Sequence, residues 1–300
     1  QWNRVQAGYR NVAHHYDLDE WLFRRFLDRE MYYSCAYFAA PGLDLDAAQR
    51  AKAEHIAAKL RLEPGQHVLD IGSGWGSLAL HLAQHHGVRV TGLTLSRGQL
   101  AVAERTAAER GLSDRVQFLL QDYREHAGQY DRVVSVGMFE HVGRPFYARF
   151  FRQVARVLQP GGVALLHTIC RLGPPGTTNA WVRKYIFPGG YSPALSELTD
   201  GIEHSALKVM DMELLRRHYA LTLNAWQARF QRHRAEVAER MGETFCRMWE
   251  FYLAACEASF EIGDLAVAQV QLAARVDAVP LTRDYLYTPR HASQLWRRAG

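Results

Sequence analysis

The chain has 300 residues, 48% hydrophobic and 22% charged, a composition that excludes the disordered and fibrous classes. Lys plus Arg number 36 against 31 Asp plus Glu, so the formal net charge is +5, which suits an anionic surface or substrate without requiring one. No apolar run reaches the roughly 18 residues that span a bilayer, and residues 1–4 do not open a signal peptide. The chain has four cysteines without CxxC spacing, which predicts reduced thiols and a cytoplasmic location: Cys35, Cys170, Cys246 and Cys256.

The first 60 residues predict helices with an unusual density of aromatic side chains. Pro41-Gly42 interrupts this region, and Asp44 or Asp46 is expected to cap a second helix that ends near Leu60. Ordinary core packing is the expected role of the aromatic residues, although they also suit the wall of an apolar tunnel. They are Trp21, Phe23, Phe26, Tyr32, Tyr33, Tyr37 and Phe38.

From residue 67 onward, strands and helices alternate strictly. Strands are predicted at 67–71, 88–93, 115–120, 131–136 and 163–169, with helices at 77–86, 96–110 and 146–158. A turn is predicted at Pro160-Gly161-Gly162. This alternation predicts an α/β fold with a parallel, doubly wound sheet.

The alternation stops after Ile169. Residues 171–200 are rich in proline and glycine and long enough to form a lid. A strand at 207–215, amphipathic helices at 216–240 and 243–260, a last strand at 267–274 and a basic tail at 275–300 follow. We expect one domain over 1–300, divided into a helical cap (1–60), a cofactor-binding core (61–170), a lid with substrate-side helices (171–262) and a last strand with the tail (263–300).

A glycine turn, Gly72-x-Gly74-x-Gly76, follows the first strand and precedes a helix. Such a turn lets a ligand approach the backbone, and both dinucleotides and S-adenosylmethionine use it. Three details favour S-adenosylmethionine: the spacing is not GxGxxG, no acidic residue lies between Ile71 and Ala103, and Asp122 follows the third strand, where an acid can bind an adenine amino group.

Longer motifs resemble the cyclopropane-fatty-acid synthase family of class I methyltransferases, which includes the mycolic acid cyclopropane synthases. The resemblance covers about residues 10–272 and implies a Rossmann-like, mostly parallel seven-stranded sheet with helices on both faces, extra N-terminal helices and a helical lid insertion. Ser73 stands where family members commonly have Cys, and we expect no counterpart of the extra N-terminal domain that some bacterial members carry. The matching segments are His15-Tyr16-Asp17, 32–38, 68–76, Gly92-Leu-Thr-Leu-Ser96 with Gln99, Met138-Phe-Glu-His141, His167-Thr-Ile169, His218-Tyr219 and 252–256.

The resemblance implies methyl transfer from S-adenosylmethionine to the cis double bond of a phospholipid acyl chain, followed by proton loss that closes a cyclopropane ring. Bicarbonate is the implied base, held by the side chains of Glu140, His167 and Tyr219 and by backbone groups of Cys35 and Ile169. No motif activates Cys35 as a thiolate, so its thiol is expected to be dispensable. The turn and the resemblance together assign cofactor binding to Tyr33, Ser34, Asp70, Gly72, Gly74, Thr94, Leu95, Ser96, Gln99, Gln121 and Asp122.

These residues also have simpler interpretations. Glu140-His141 suits a solvated loop, His167 a buried histidine bonded to backbone, and Tyr219 a core aromatic; Cys256 is expected to pack. A second group of aromatic residues is assigned to the acyl tunnel: Phe139, Phe146, Tyr147, Phe150 and Phe151.

Other functions remain open on the sequence. A methyltransferase on the same scaffold could make a methyl- or methylene-branched acyl chain or methylate a small molecule. No basic stripe with exposed aromatics supports nucleic-acid binding, and no metal is expected at His14, His15 and Asp17 or at His81 and His85, because the latter pair lacks a third ligand. Peripheral docking on a membrane surface and a possible homodimer are further expectations.

Overall fold

The computed structural model describes residues 20–287, and a seven-stranded sheet forms its centre. The strands are β1 (His67–Ile71), β2 (Arg89–Thr94), β3 (Val116–Leu120), β4 (Tyr130–Val136), β5 (Leu158–Arg171), β6 (Lys208–Leu214) and β7 (Leu265–Ala273). Their order is β3-β2-β1-β4-β5-β7-β6, with β1 to β5 parallel and β7 antiparallel to both β5 and β6. The predicted mostly parallel α/β sheet is confirmed.

Helices cover both faces of this sheet, as expected from the alternation. Val68 and Val134 pack against helices on one face, whereas the adjacent Leu69 and Val133 pack against Phe151 and other side chains on the opposite face. The helices are α1 (Glu20–Phe26), α2 (Leu45–Leu60), α3 (Ser77–His86), α4 (Arg97–Glu109), α5 (Tyr147–Val157), α6 (Ala180–Tyr185), α7 (Leu195–Glu203), α8 (His218–Met241) and α9 (Glu243–Glu261).

The N-terminal segment differs from the prediction, because residues 27–44 do not continue the helical cap. The Asp28 carboxylate accepts hydrogen bonds from the backbone N–H groups of Glu30 and Tyr32, both at 2.9 Å, which turns the chain just after α1. Met31 consequently adopts a positive φ of 64°. The predicted cap of α2 is confirmed at Asp44, whose Oδ1 accepts from Ala47 N at 2.7 Å.

The expected Pro160-Gly161-Gly162 turn lies within β5 instead of preceding it. Leu158 pairs with Tyr130 and Val163 pairs with Arg132, so four residues of β5 lie opposite the single Asp131 of β4. The surplus residues bulge outward at a glycine with a φ of 96°, and the strand resumes beyond them.

The long helices α8 and α9 pack against each other and against α1. The Phe26 ring lies 5.9 Å from the Trp226 ring and 5.5 Å from the Trp249 ring, centroid to centroid, and the Tyr33 and Tyr252 hydroxyls are 2.9 Å apart. Between residues 20 and 287, no helix has both the length and the apolarity needed to cross a membrane. The His15-Tyr16-Asp17 motif and the end of the basic tail, 288–300, lie outside the described residues.

Candidate active site

The glycine turn leaves open space at the C-terminal end of β1. Gly72 N and Ser73 N donate to Leu93 O at 2.9 and 2.8 Å, which joins the turn to β2. A Cβ added at Gly74 (φ 55°) would have Gln99 Nε2, 4.0 Å away, as its nearest neighbour among the described residues. Gly74 therefore faces a cavity, and a side chain there would project into it.

That first cavity, about 1230 Å³ including its open mouth, is lined by ten of the eleven predicted cofactor residues. Ser96 is the exception: it is 1% exposed and caps α4, with its Oγ accepting from Gln99 N at 3.2 Å. The ten are Tyr33, Ser34, Asp70, Gly72, Gly74, Thr94, Leu95, Gln99, Gln121 and Asp122.

Asp70 provides a buried acceptor in this cavity. Its side chain is almost inaccessible, and its Oδ2 has no hydrogen-bond partner within residues 20–287. Burial raises the pKa of the Asp70 carboxyl to about 7, against the opposing effect of the nearby Lys52 ammonium. An unsatisfied carboxylate oxygen in a cavity wall fits a cationic ligand group such as the amino group of S-adenosylmethionine.

Asp122 is held by a residue that the sequence analysis missed. Arg124 Nε lies 2.8 Å from Asp122 Oδ1, Arg124 Nη2 lies 2.6 Å from Oδ2, and both residues line the first cavity. Oδ1 also accepts from Arg124 N at 2.9 Å, so Oδ2 is the oxygen that retains a second lone-pair direction for a ligand. The arginine thus fixes the orientation of the Asp122 carboxylate. This role depends on a tight turn between the two residues, which no sequence motif indicates.

A second cavity, about 690 Å³, adjoins the first and contains all five predicted catalytic residues in its wall. Glu140, His167 and Ile169 come from the ends of neighbouring strands, whereas Cys35 precedes α2 and Tyr219 begins α8. Four residues belong to the walls of both cavities: Tyr33, Ser34, Gly137 and His141.

Glu140 is a buried carboxylate with one oxygen engaged and one free. Oε1 accepts from Ile169 N at 2.6 Å, and the buried Oε2 has no hydrogen-bond partner in the described chain. Burial raises the pKa of Glu140, and the Ile169 N–H opposes that rise. The solvated-loop interpretation of Glu140 is wrong, since this residue is 8% exposed. Ile169 N–H serves to orient the carboxylate.

His167 is held as a neutral imidazole by Gln269 of β7. With the Gln269 amide in this orientation, its Nε2 lies 3.1 Å from His167 Nδ1 and donates to it, which assigns the imidazole proton to Nε2. Burial, reinforced by the Lys52 charge, lowers the pKa of His167 well below its usual value. The interpretation of His167 as bonded to backbone is therefore wrong, because its partner is a side chain 102 residues away.

The thiol and the phenol of the second cavity are also neutral. Cys35 Sγ donates to Ala36 O at 3.3 Å, and burial raises the pKa of this thiol to about 12. Burial likewise raises the pKa of Tyr219, whose ring packs against Trp226 and Phe260. The cavity therefore offers O–H and N–H donors together with one free carboxylate oxygen.

Ser34, in the wall shared by the two cavities, is held in position by side chains of α2. Gln49 Nε2 donates to Ser34 O at 3.0 Å, and Lys52 Nζ donates to Ser34 Oγ at 2.9 Å. Both α2 side chains are fully buried, and the Lys52 ammonium also lies 3.9 Å above the Tyr32 ring. The sequence analysis missed both, because a helical Lys and Gln three residues apart have the spacing of an ordinary helix surface.

A surface groove leads to the second cavity between α6 and α9. Ile169, Val182 and Phe187 line both spaces, and Trp181, Tyr185 and Phe251 form the outer wall. Phe251 and Tyr185 are 56% and 45% exposed. The groove, the second cavity and the first cavity therefore follow one another with shared walls.

The second aromatic group predicted to line an acyl tunnel does not do so. Phe139 and the α5 residues Tyr147, Phe150 and Phe151 are buried in the core between α5 and the sheet, and Phe146 packs against that core. Within the described chain, none of the five lines the cavities or the groove. Their helical spacing directs them toward the sheet, so this prediction is wrong.

Comparisons with known proteins identify relatives of this chain. The family model for mycolic acid cyclopropane synthetase matches residues 3–270. The cyclopropane-fatty-acyl-phospholipid synthase of Escherichia coli K12 is 43% identical over 257 residues, which is 85% of this chain and 65% of that protein. The tuberculostearic acid methyltransferase UfaA1 of Mycobacterium tuberculosis is 41% identical over 280 residues, 89% of this chain and 65% of that protein. The chain thus spans about two thirds of the length of these two relatives.

A solved structure shares the fold over a larger share of its own length. The crystal structure of the mycolic acid cyclopropane synthase CmaA1, complexed with SAH and CTAB, superimposes with a TM-score of 0.84 at 34% identity. The superposition covers 88% of this chain and 97% of that one.

Gly74→Val is expected to abolish binding of S-adenosylhomocysteine, because its side chain would enter the first cavity. Gly111→Val is the matched control: Gly111 also has a positive φ (65°), but an added Cβ there would meet nothing within 4 Å. Both substitutions carry the backbone strain of a left-handed residue, about 1 kcal/mol or more. Calorimetry on the folded variants should show loss of binding in Gly74→Val alone; equal affinities would contradict the placement.

Proposed function

This chain belongs to the mycolic acid cyclopropane synthetase family and is an S-adenosylmethionine-dependent methyltransferase, and we propose that it forms a cyclopropane ring on an unsaturated phospholipid acyl chain. The observation that carries this proposal is that the groove, the second cavity and the first cavity adjoin one another in that order. An apolar groove opens into a cavity of neutral donors and one carboxylate, and that cavity adjoins the space beside the glycine turn. An alkyl chain and a methyl donor can therefore meet at the shared wall.

In this proposal the first cavity holds S-adenosylmethionine, which supplies an electrophilic methyl group when bound. Asp70 Oδ2 accepts a hydrogen bond from the cofactor's amino group, and Asp122, oriented by Arg124, accepts one from the adenine. Thr94, Leu95 and Gln121 complete the wall at the strand ends. The Ser96 hydroxyl acts indirectly, by capping the helix that carries Gln99.

The second cavity is proposed to remove the proton from the added methyl group. A bicarbonate ion fits its residues, because His167 Nε2–H and the Tyr219 hydroxyl donate and Glu140 Oε2 lacks a partner that could donate to it. Bicarbonate, when bound, supplies a base that is not itself alkylated. Tyr219 and His167 would hold its oxygens and Glu140 would accept from its hydroxyl, with Cys35 contributing a backbone group and Ile169 orienting Glu140.

The groove is proposed to receive the acyl chain from a membrane surface. Its outer wall exposes aromatic rings, and Arg247 lies among them. Exposed rings beside cations are typical of surfaces that dock peripherally on anionic lipid.

A second product class uses the same residues. The name of the relative UfaA1, a tuberculostearic acid methyltransferase, indicates that this family includes enzymes whose product is described as methylated. Methylation without ring closure, on an acyl chain or a small molecule, therefore stands as the alternative.

The structure of the lipid product distinguishes ring closure from methylation without ring closure. Cells that express the chain and contain unsaturated phospholipid are expected to accumulate acyl chains heavier by one CH2 group, with upfield cyclopropane methylene protons in NMR spectra. Vinylidene protons, or a chain heavier by CH4, would contradict ring closure and indicate a methylene or methyl branch. Expression of the Gly74→Val variant provides the background.

Substitution of the second-cavity side chains should separate proton removal from cofactor binding. Glu140→Gln, His167→Ala and Tyr219→Phe are expected to lower turnover by roughly a hundredfold or more while S-adenosylhomocysteine affinity stays nearly constant. Added bicarbonate should partially restore the weakened variants.

Two controls accompany this series. Tyr147→Phe removes a buried hydroxyl in the core beneath α5 and should leave turnover unchanged. Cys35→Ser should lose less than the three cavity variants, because the thiol is neutral and only its backbone is required. An inactive Cys35→Ser beside a nearly normal His167→Ala would overturn the bicarbonate assignment and favour a thiol mechanism.

Membrane docking is tested with vesicles of stated charge. Binding to phosphatidylglycerol vesicles should weaken as salt increases, and Arg247→Gln should weaken it further, by about 1 kcal/mol. Arg89→Gln, at the opposite edge of the sheet, should have no effect. Equal, salt-independent binding to neutral and anionic vesicles would contradict the electrostatic contribution.

A further inference from the structure

Two histidines of α3, His81 near its middle and His86 at its last residue, converge with a glutamate of α2, away from both cavities. His81 Nε2 lies 2.8 Å from Glu54 Oε1, and His86 Nε2 lies 3.3 Å from Glu54 Oε2. The three ligand atoms that this group offers lie within 4.8 Å of one another. We propose that Glu54, His81 and His86 bind a divalent transition metal of the zinc class.

The spacing of the donors suits a tetrahedral ion. Bond lengths of about 2.0–2.2 Å place neighbouring ligand atoms about 3.3 Å apart. The separation of His86 Nε2 from Glu54 Oε2, 3.3 Å, already equals this value. His81 Nε2 lies 2.8 Å from the other oxygen, Oε1, so the carboxylate has to turn for one oxygen to serve as the ligand beside both nitrogens. Because Glu54 is half exposed, its carboxylate can make that adjustment and water can complete the coordination.

An unsatisfied nitrogen indicates a ligand independently of this spacing. The His86 side chain is 8% exposed, and its buried Nε2 makes no hydrogen bond of acceptable geometry within the described chain. A buried ring nitrogen facing a carboxylate and a second imidazole is poorly satisfied by the protein alone. Two imidazoles and a carboxylate form a donor set that Zn²⁺ accepts.

The proposed ion would cross-link α2 to the end of α3. Glu54 lies two residues after Lys52, which supports Ser34, and α3 starts directly after the glycine turn. A cross-link there is expected to stabilise the fold without contacting either cavity. The sequence analysis considered His81 with His85 and found no third ligand; the third ligand lies 27 residues before His81, on a different helix.

Calorimetric titration of the full chain with ZnCl2 tests the site. We expect saturable binding of one ion and a rise in melting temperature. Glu54→Gln, His81→Ala and His86→Ala should each weaken binding at least ~10-fold, the lower end of what loss of even an outer-sphere partner costs. Circular dichroism without metal verifies that each variant is folded.

Two controls make the assignment specific. His204 is an exposed histidine that follows α7 and is not one of the three proposed ligands. The His204→Ala variant should therefore bind Zn²⁺ like the unsubstituted chain. His85→Ala should also retain binding, because its nitrogens lie outside the three-donor set. Absence of saturable binding, an unaffected His86→Ala, or a larger loss in His85→Ala than in His86→Ala would overturn the proposal.

Discussion

The hydrogen bond from the buried Lys52 ammonium to the Ser34 hydroxyl supports the wall on which both cavities depend. Ser34 belongs to an irregular segment, so neither a helix nor a strand fixes its position. Burial of an ammonium is costly and lowers the pKa of Lys52, but the carboxyls of Asp28 and Asp70 offset part of that cost. Asp28 in turn shapes the segment through Glu30 and Tyr32. One buried cation thus links the turn after α1, the first cavity and the shared wall.

The chemistry proposed for the second cavity depends on burial more than on charge. Desolvation raises the pKa values of Glu140, Cys35 and Tyr219 and lowers that of His167, so each group is driven toward its neutral form. The thiolate is the nucleophilic form of cysteine, so a raised pKa lowers the tendency of the Cys35 thiol to be methylated. Cys256, at the groove, has its pKa raised to about 12 for the same reason. Because burial keeps these side chains protonated, the methyl group of the proposed donor would remain available to a weakly nucleophilic substrate.

Local signals in the sequence predicted most of the sheet, because β1 and the glycine turn depend on residues next to one another. The shared edge of parallel strands predicted that Glu140 and His167 lie close together, and the family resemblance supplied the other three residues of the second cavity. The side-chain partners in the site were not predictable: Gln269 reaches His167 from the neighbouring antiparallel strand, and Lys52 of α2 reaches Ser34 in the irregular segment before that helix. Aromatic content was misleading at Phe150 and Phe151, because composition does not specify which helix face meets the sheet.

In the proposed reaction, the choice between a ring and a branch would depend on how deeply the acyl chain enters the second cavity. Addition of a methyl cation to an alkene leaves a cation on the adjacent carbon. Loss of a proton from the new methyl closes the ring, whereas a hydride shift followed by that loss leaves a methylene branch. The same base serves both outcomes, so the side chains of Glu140 and His167 do not decide between them. The residues that line both groove and cavity include Val182 and Phe187 of the proline-rich lid, and under the proposed function they would set that depth. Product specificity would then depend on the segment whose conformation the sequence specifies least directly.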